Sequence, residues 1–295
     1  MEPGGELKPP RPSRRRILVR RLVAAVVILL LLGGGTAAAF AIHSGRDAAT
    51  PQTTIRQLRQ FRIVFPEGFT RAQMAARTGA VAKIAAREGH HRVKLSQQTY
   101  LAATAHKRAI PGFGARKLPL EGFLFPDTYD FDRTSTSTQL VQEQLQEFTS
   151  KWSTVNLAYA RSKNLTPYDV LTIASMIEGE ARVPSERPLV AAVIYNRLHD
   201  HMSLGIDATL RYGLHIPPTQ SLTKSELHSD NPYNTRNRQG LPPTPINNPG
   251  LASIQAAAHP AKVDYVYFVR KPDHKHHYFT ANYQDFLQHE AQYGY

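Results

Sequence analysis

TPYDVLTIASMIEGEA, residues 166–181, reads as a helix that enters the core and carries two carboxylates near its far end. Thr166 is suited to cap it, and Pro167 follows at the first turn, where proline's missing N–H costs nothing. The pattern predicts a helix to about Arg182, with Val170, Ile173, Ala174, Ile177 and Ala181 on the apolar face. At about 100° per residue, Glu178 and Glu180 point roughly 200° apart. They therefore cannot serve one substrate from the same side. Glu178 lies nearer the middle of the apolar face, and Glu180 lies on the other flank. A carboxylate set beside apolar groups resists ionisation. That is what a general acid needs in order to protonate a glycosidic oxygen. The plainer reading is a solvated border of the stripe, or a partner for Arg182 or Arg187. The helical pattern alone leaves both open.

Working outward, Leu140, Val141, Leu145, Phe148 and Trp152 recur at helical spacing upstream. PLVAAVIYNRLHDHM, started by Pro188, is a further helix downstream. Nearer the N-terminus, Phe61, Ile63 and Phe65 alternate as in a strand. Pro66-Glu67-Gly68 is a turn, and Thr70 caps a short helix carrying Met74 and Ala75. Ser96 caps another. Pro119 to Phe131 is dense in aromatics, is broken by Gly122 and Pro126, and reads as loop-like. It either plugs a core edge or lines a groove, with Phe123 and Phe125 as candidates. The chain is then loop-rich over 217–249. A short helix, SIQAAAHPA, follows. DYVYFVRK and HHYFTA make a strand hairpin, and NYQDFLQHEAQY is a last short helix. Helices come first and strands later, so the class is α+β.

The 295 residues hold 36 Lys and Arg against 23 Asp and Glu, a net charge of +13. Residues 1–21 contribute seven of the cations, and the rest are scattered without a run. No basic stripe or nucleic-acid module is present, so nucleic acid is not an expected partner. A basic chain also suits an anionic wall polymer or a membrane surface. There are no cysteines, which excludes a disulfide framework, a cysteine nucleophile and a thiolate metal site. Residues 22–42 carry no charge and would span roughly 30 Å as a helix. Five arginines lie just before that stretch, which puts the N-terminus in the cytoplasm and the rest outside. A cleaved signal peptide is the competing reading. The expected organisation is a cytoplasmic basic tail (1–21), a transmembrane helix (22–42) and a linker (43–56) before the folded part.

Other chemical candidates are less specific. His274, His276 and His277 lack the helical pair spacing of zinc proteases, so exposed histidines in a hairpin turn are expected and no metal site. Asp207 is either a helix cap or a second carboxylate. Tyr233 and Asn234 are hydrogen-bonding groups of the kind that grip sugar hydroxyls, and turn residues would look the same. There is no phosphate loop and no G-x-S-x-G elbow, and no cofactor is expected.

Seven segments in this order and spacing resemble one family: LEGFLFPDTYDF, IASMIEGEA…SERPLVAAVIYNRL, MSLGIDATLRYG, PYNTR…GLPPTPINNPG, IQAAAHPA, YVYFV and HHYFTANYQDF. They look like the endolytic murein transglycosylases, the YceG-like family. The resemblance covers roughly Phe61 to Phe286. It implies a LysM-like subdomain over 57–118, around VFPEGFT, and a helix-rich catalytic domain with a small β-sheet over 119–295. It places the catalytic role on the first glutamate of the E-x-E pair, Glu178. Protonated Glu178 would donate to the oxygen joining N-acetylmuramic acid to N-acetylglucosamine. The same carboxylate would then deprotonate the muramic C6 hydroxyl, which attacks C1 to leave a 1,6-anhydro end. Tyr233, Asn234, Asp207 and Phe125 are read, from the residues themselves, as candidate substrate contacts, and Glu180, Glu186, Arg187 and Asn196 as supporting residues. Gly205 stands where the family often has Gln, so a sugar contact from that side chain is lost. The implied partners are peptidoglycan strands, the inner membrane and peptidoglycan synthases of elongation or division. A non-catalytic glycan-binding scaffold and a hydrolytic muramidase using Asp207 or another carboxylate with water are the alternatives.

Overall fold

Helix starts follow the capping residues that the sequence supplies. In the computed structural model, which describes residues 60–90 and 92–294, Thr70 Oγ1 accepts from the Gln73 N–H at 3.2 Å, and Gln73 Oε1 accepts from the Thr70 N–H at 2.8 Å. This reciprocal box opens α1 (Arg71–Gly89). Ser96 with Thr99 opens α2 (Gln97–Ala103), and Thr136 with Gln139 opens α3 (Ser137–Trp152). After α4 (Ala158–Ser162), Thr166 with Asp169 opens α5 (Pro167–Glu180). Each cap satisfies an otherwise orphaned N–H, and its loss costs about 1 kcal/mol.

A 3₁₀ turn (Pro184–Glu186) leads into α6 (Arg187–His199), then α7 (Asp207–Leu214), α8 (Lys224–Leu227) and α9 (Leu251–Ala258). α10 (Tyr283–Tyr293) ends the chain. The strands form two antiparallel pairs. β1 (Phe61–Val64) lies against β2 (Thr128–Phe131), with Phe61 opposite Phe131. β3 (Tyr267–Arg270) lies against β4 (His277–Thr280), with Arg270 opposite His277. The architecture is helix-rich α+β with small sheets, and Leu58–Tyr295 is one compact unit. The β1–β2 pairing joins the expected segments 57–118 and 119–295. No helix of the described residues is long and apolar enough to cross a membrane. The expected span at 22–42 lies outside the described residues.

β2 lies inside the aromatic stretch that reads as loop-like. Alternation there is short, and Gly122 and Pro126 hide it. The stretch plugs the core: Phe123 packs edge-on against Phe113 and Phe148, at ring separations of 4.9 and 5.0 Å, and Phe125 is buried.

α5 is the central element. Val170 to Ile177 are all buried, so the helix is covered on every side. Burying Leu171, Ile173 and Ile177 contributes roughly 1.5–3 kcal/mol each. α9 packs against it, and the buried positions of α9 are Ile254 and the small residues Ser253, Ala256, Ala257 and Ala258, which allow close approach. The segment before α9 is tied to α5 by polar contacts. The Ile246 N–H donates to Ser175 Oγ at 3.0 Å, and Asn247 Nδ2 donates to the Ser175 carbonyl at 2.8 Å. Asn248, fully buried, then gathers three segments. Its Oδ1 accepts from the Gly122 and Leu124 N–H groups, and its Nδ2 donates to the Phe69 carbonyl and to Glu121. Its backbone donates to the Phe69 carbonyl and accepts from the Gly68 N–H. These bonds hold the turn after β1 over the C-terminal end of α5.

Candidate active site

A groove of about 1490 Å³ runs past that end of α5. Glu178 sits in its wall with a side chain 8% exposed. Its Oε2 accepts from the Gly250 N–H at 3.1 Å. Its Oε1 lies 3.7 Å from Arg187 Nη2. Arg187 is itself oriented, because its Nε donates to the buried Ser253 hydroxyl at 3.0 Å. The same Nη2 lies 3.8 Å from Glu67 Oε2. Glu67 belongs to the Pro66-Glu67-Gly68 turn. Burial, then the charge of Glu178, raise its carboxyl above the ordinary glutamate value, and Arg187 opposes them.

Glu180 meets other elements. Its carboxylate faces the Ala208 backbone in the first turn of α7, which favours the charged form, and lies 3.7 Å from Arg270 Nη2 on β3. Burial raises its proton affinity and Arg270 opposes the rise. Glu186 turns to the hairpin, accepting from the His277 N–H at 3.0 Å and bonding its Nδ1 at 2.8 Å. His277 is therefore buried rather than exposed in the turn. His276 is half exposed and rests on Asp273. Glu121, at the groove beside Gly68–Arg71, accepts from the Arg71 N–H, the Tyr212 hydroxyl and Asn248. Burial pushes it up to about 7 despite those bonds.

The groove thus brings together Glu178, Glu180, Asp207 and Arg187 of the expected residues. Asp207 begins α7 and pairs with Arg236 at 2.6 Å, while Ile206 holds the cap position. Phe125, Tyr233, Asn234, Glu186 and Asn196 are not among its lining residues. Asn234 spends its amide on the Leu227 and Ser229 carbonyls. The Tyr233 hydroxyl meets Thr244 at 2.8 Å. Asn196 ties α6 to the Val263 and Tyr265 carbonyls before β3. Glu67, Glu121 and Gly250 are site residues that sequence reasoning missed. Glu67 reads only as part of a turn, and Gly250 only as the end of a proline-rich loop. Chemically, the arrangement is a carboxylate held by one N–H and a shared guanidinium, with a second carboxylate alongside, in the wall of a groove of about 1490 Å³.

The sequence profile of the YceG-like family matches residues 24–292. The chain belongs to the YceG-like family. This YceG-like chain is 34% identical over 218 residues to the endolytic murein transglycosylase of Bacillus subtilis (strain 168), covering 72% of this chain and 59% of that protein. It is 30% identical over 243 residues to the endolytic murein transglycosylase of Streptococcus pneumoniae (strain ATCC BAA-255 / R6), covering 76% of this chain and 43% of that one. The chain thus spans less than two thirds of these relatives' length. A crystal structure of a yceG-like protein from Listeria monocytogenes superposes with a TM-score of 0.61 at 30% identity, covering 77% of this YceG-like chain and 75% of the other.

Proposed function

We propose that the chain is a peptidoglycan lytic transglycosylase that cuts within glycan strands. The names of its relatives support the activity. The observation that carries the residue assignment is the setting of Glu178: in the wall of the groove, fixed by the Gly250 N–H and by Arg187. Glu178 protonates the oxygen linking N-acetylmuramic acid to N-acetylglucosamine, and the bond from that oxygen to C1 breaks. In the simplest form the same carboxylate then takes the C6 hydroxyl proton as O6 closes on C1. The product is a 1,6-anhydro end, no water is consumed, and glycan elongation terminates there. Residues 22–42 anchor the chain with its N-terminus in the cytoplasm. Segment 57–118 presents its turn to the glycan as a LysM-like part, and 119–295 supplies the acid. Synthases of elongation or division are the expected neighbours. Asp207, which lines the groove, is the candidate for substrate contact, whereas Phe125, Tyr233 and Asn234 shape the segments beside it.

The test is digestion of purified peptidoglycan with the full chain, followed by mass spectrometry. Interior cuts bearing anhydro-muramic ends are expected, falling about 10³-fold with Glu178→Gln. Reducing ends in their place would replace this reading with a muramidase. Binding without new ends would replace it with a scaffold.

A further inference from the structure

Glu67 is a charged groove residue for which the reaction above has no use. Its side chain is 49% exposed, yet three contacts set it against Glu178. Arg187 Nη2 lies 3.8 Å from Glu67 Oε2 and 3.7 Å from Glu178 Oε1, so one guanidinium edge serves both carboxylates. Gly68, next in the turn at φ +77°, backs onto Glu178, where a Cβ would lie 3.4 Å from Glu178 Cγ. Gly250 donates its N–H to Glu178 and leaves the slot that Glu67 fills, since a Cβ there would overlap Glu67 Oε1. The turn has little freedom to drift, because the Gly68 N–H and the Phe69 carbonyl are both bonded to the Asn248 backbone.

We infer that Glu67 is a second catalytic carboxylate, the base that receives the muramic C6 hydroxyl proton while Glu178 delivers its own proton to the leaving oxygen. The inference rests on the transglycosylase reading above and divides its proton transfers between two residues. Stereochemistry supports the division. The leaving oxygen of a β-linked sugar and the O6 that replaces it occupy the same face of the ring. An acid and a base for this closure must stand side by side, unlike the flanking pair of an inverting hydrolase. Glu67 and Glu178 stand side by side on Arg187. The bond from C1 to the leaving oxygen breaks to leave an oxocarbenium-like centre, and the bond from C1 to O6 then forms on the same face. One proton passes from Glu178 to the leaving oxygen and one from O6 to Glu67. A return transfer through solvent from Glu67 to Glu178 restores the pair. Burial makes Glu67 a stronger base than a solvated carboxylate, and Arg187 neutralises whichever oxygen pair is ionised.

The experiment follows anhydro-end formation by the full chain, with Glu67→Gln, Glu67→Ala and Glu178→Gln alongside the wild type. Sedimentation with insoluble peptidoglycan and thermal melting are read in parallel. The expected result is a loss of about 10²-fold for Glu67→Gln, with wild-type sedimentation and melting. Added formate should restore part of the Glu67→Ala rate. Wild-type rates from Glu67→Gln would overturn the inference and leave Glu178 acting alone. So would a loss that tracks weakened sedimentation and does not respond to formate. A wild-type chain that makes no anhydro ends would sink the transglycosylase reading itself, and this inference with it.

Discussion

Glu178 and Glu180 are two residues apart on α5, with side chains 8% and 11% exposed. Depth does not separate them; partners do. Helix rotation turns Glu178 toward the β1–α1 turn, the Gly250 N–H and Arg187. It turns Glu180 toward the α7 N-terminus and Arg270 on the hairpin. Both sets include residues that line the groove, and the first set is itself fixed by Asn248 and Ser253. The second set joins the hairpin to the helices. Both glutamates line the groove, and the distinction between them is made by what the rest of the chain folds against each.

The comparison breaks most sharply at Glu178. Glu178→Gln keeps the shape and an acceptor for Gly250 but cannot donate the proton, so anhydro-end formation falls about 10³-fold with melting unchanged. Gly250→Ala attacks the same cluster from the other side. Its φ of −75° suits alanine, so the fold persists, but the new Cβ displaces Glu67. A displacement of that size costs up to about 10²-fold in rate. Asn248→Ala removes the bonds that set the turn and leaves the Gly122 and Leu124 N–H groups unpaired in the interior. Denaturant titration should show a loss of about 3 kcal/mol.

Glu121 gives a smaller, pH-dependent effect. Its folded value is raised from 4.5 to about 7 by burial, against the Arg71 N–H, the Tyr212 hydroxyl and Asn248. A raised carboxyl binds its proton more tightly in the folded state. Its contribution to stability is therefore complete below the ordinary value and is lost as pH rises through about 7. Melting temperature measured across that range should fall less steeply in Glu121→Gln than in the wild type. Glu180→Gln should do least. Burial raises its carboxyl too, so removing the charge leaves stability at alkaline pH equal or higher, and the anhydro-forming rate stays near wild type. A large rate loss there would dissolve the distinction between the two glutamates.

What was legible in the sequence was local. The Thr166 cap, Pro167 and the apolar spacing define α5, and the 200° separation of the two glutamates follows from the helix alone. The hairpin and the last helix were legible for the same reason. What was not legible depended on distant partners. Pro66-Glu67-Gly68 reads as a turn because nothing near it says that Glu178 lies opposite. β2 is visible only once β1 pairs with it. His277 looks like its exposed neighbour His276 until Glu186 arrives from another element. Tyr233 and Asn234 look like sugar contacts because their polar atoms are evident, whereas the Thr244, Leu227 and Ser229 atoms that occupy them are set by the loop's fold.

The central claim is cleavage by Glu178 without water. Digesting peptidoglycan with the full chain in heavy-oxygen water measures this directly. Anhydro-muramic ends free of the label, present with the wild type and with Glu180→Gln and lost with Glu178→Gln, are the predicted result. Label at the muramic C1, or anhydro ends that persist in Glu178→Gln, would contradict it.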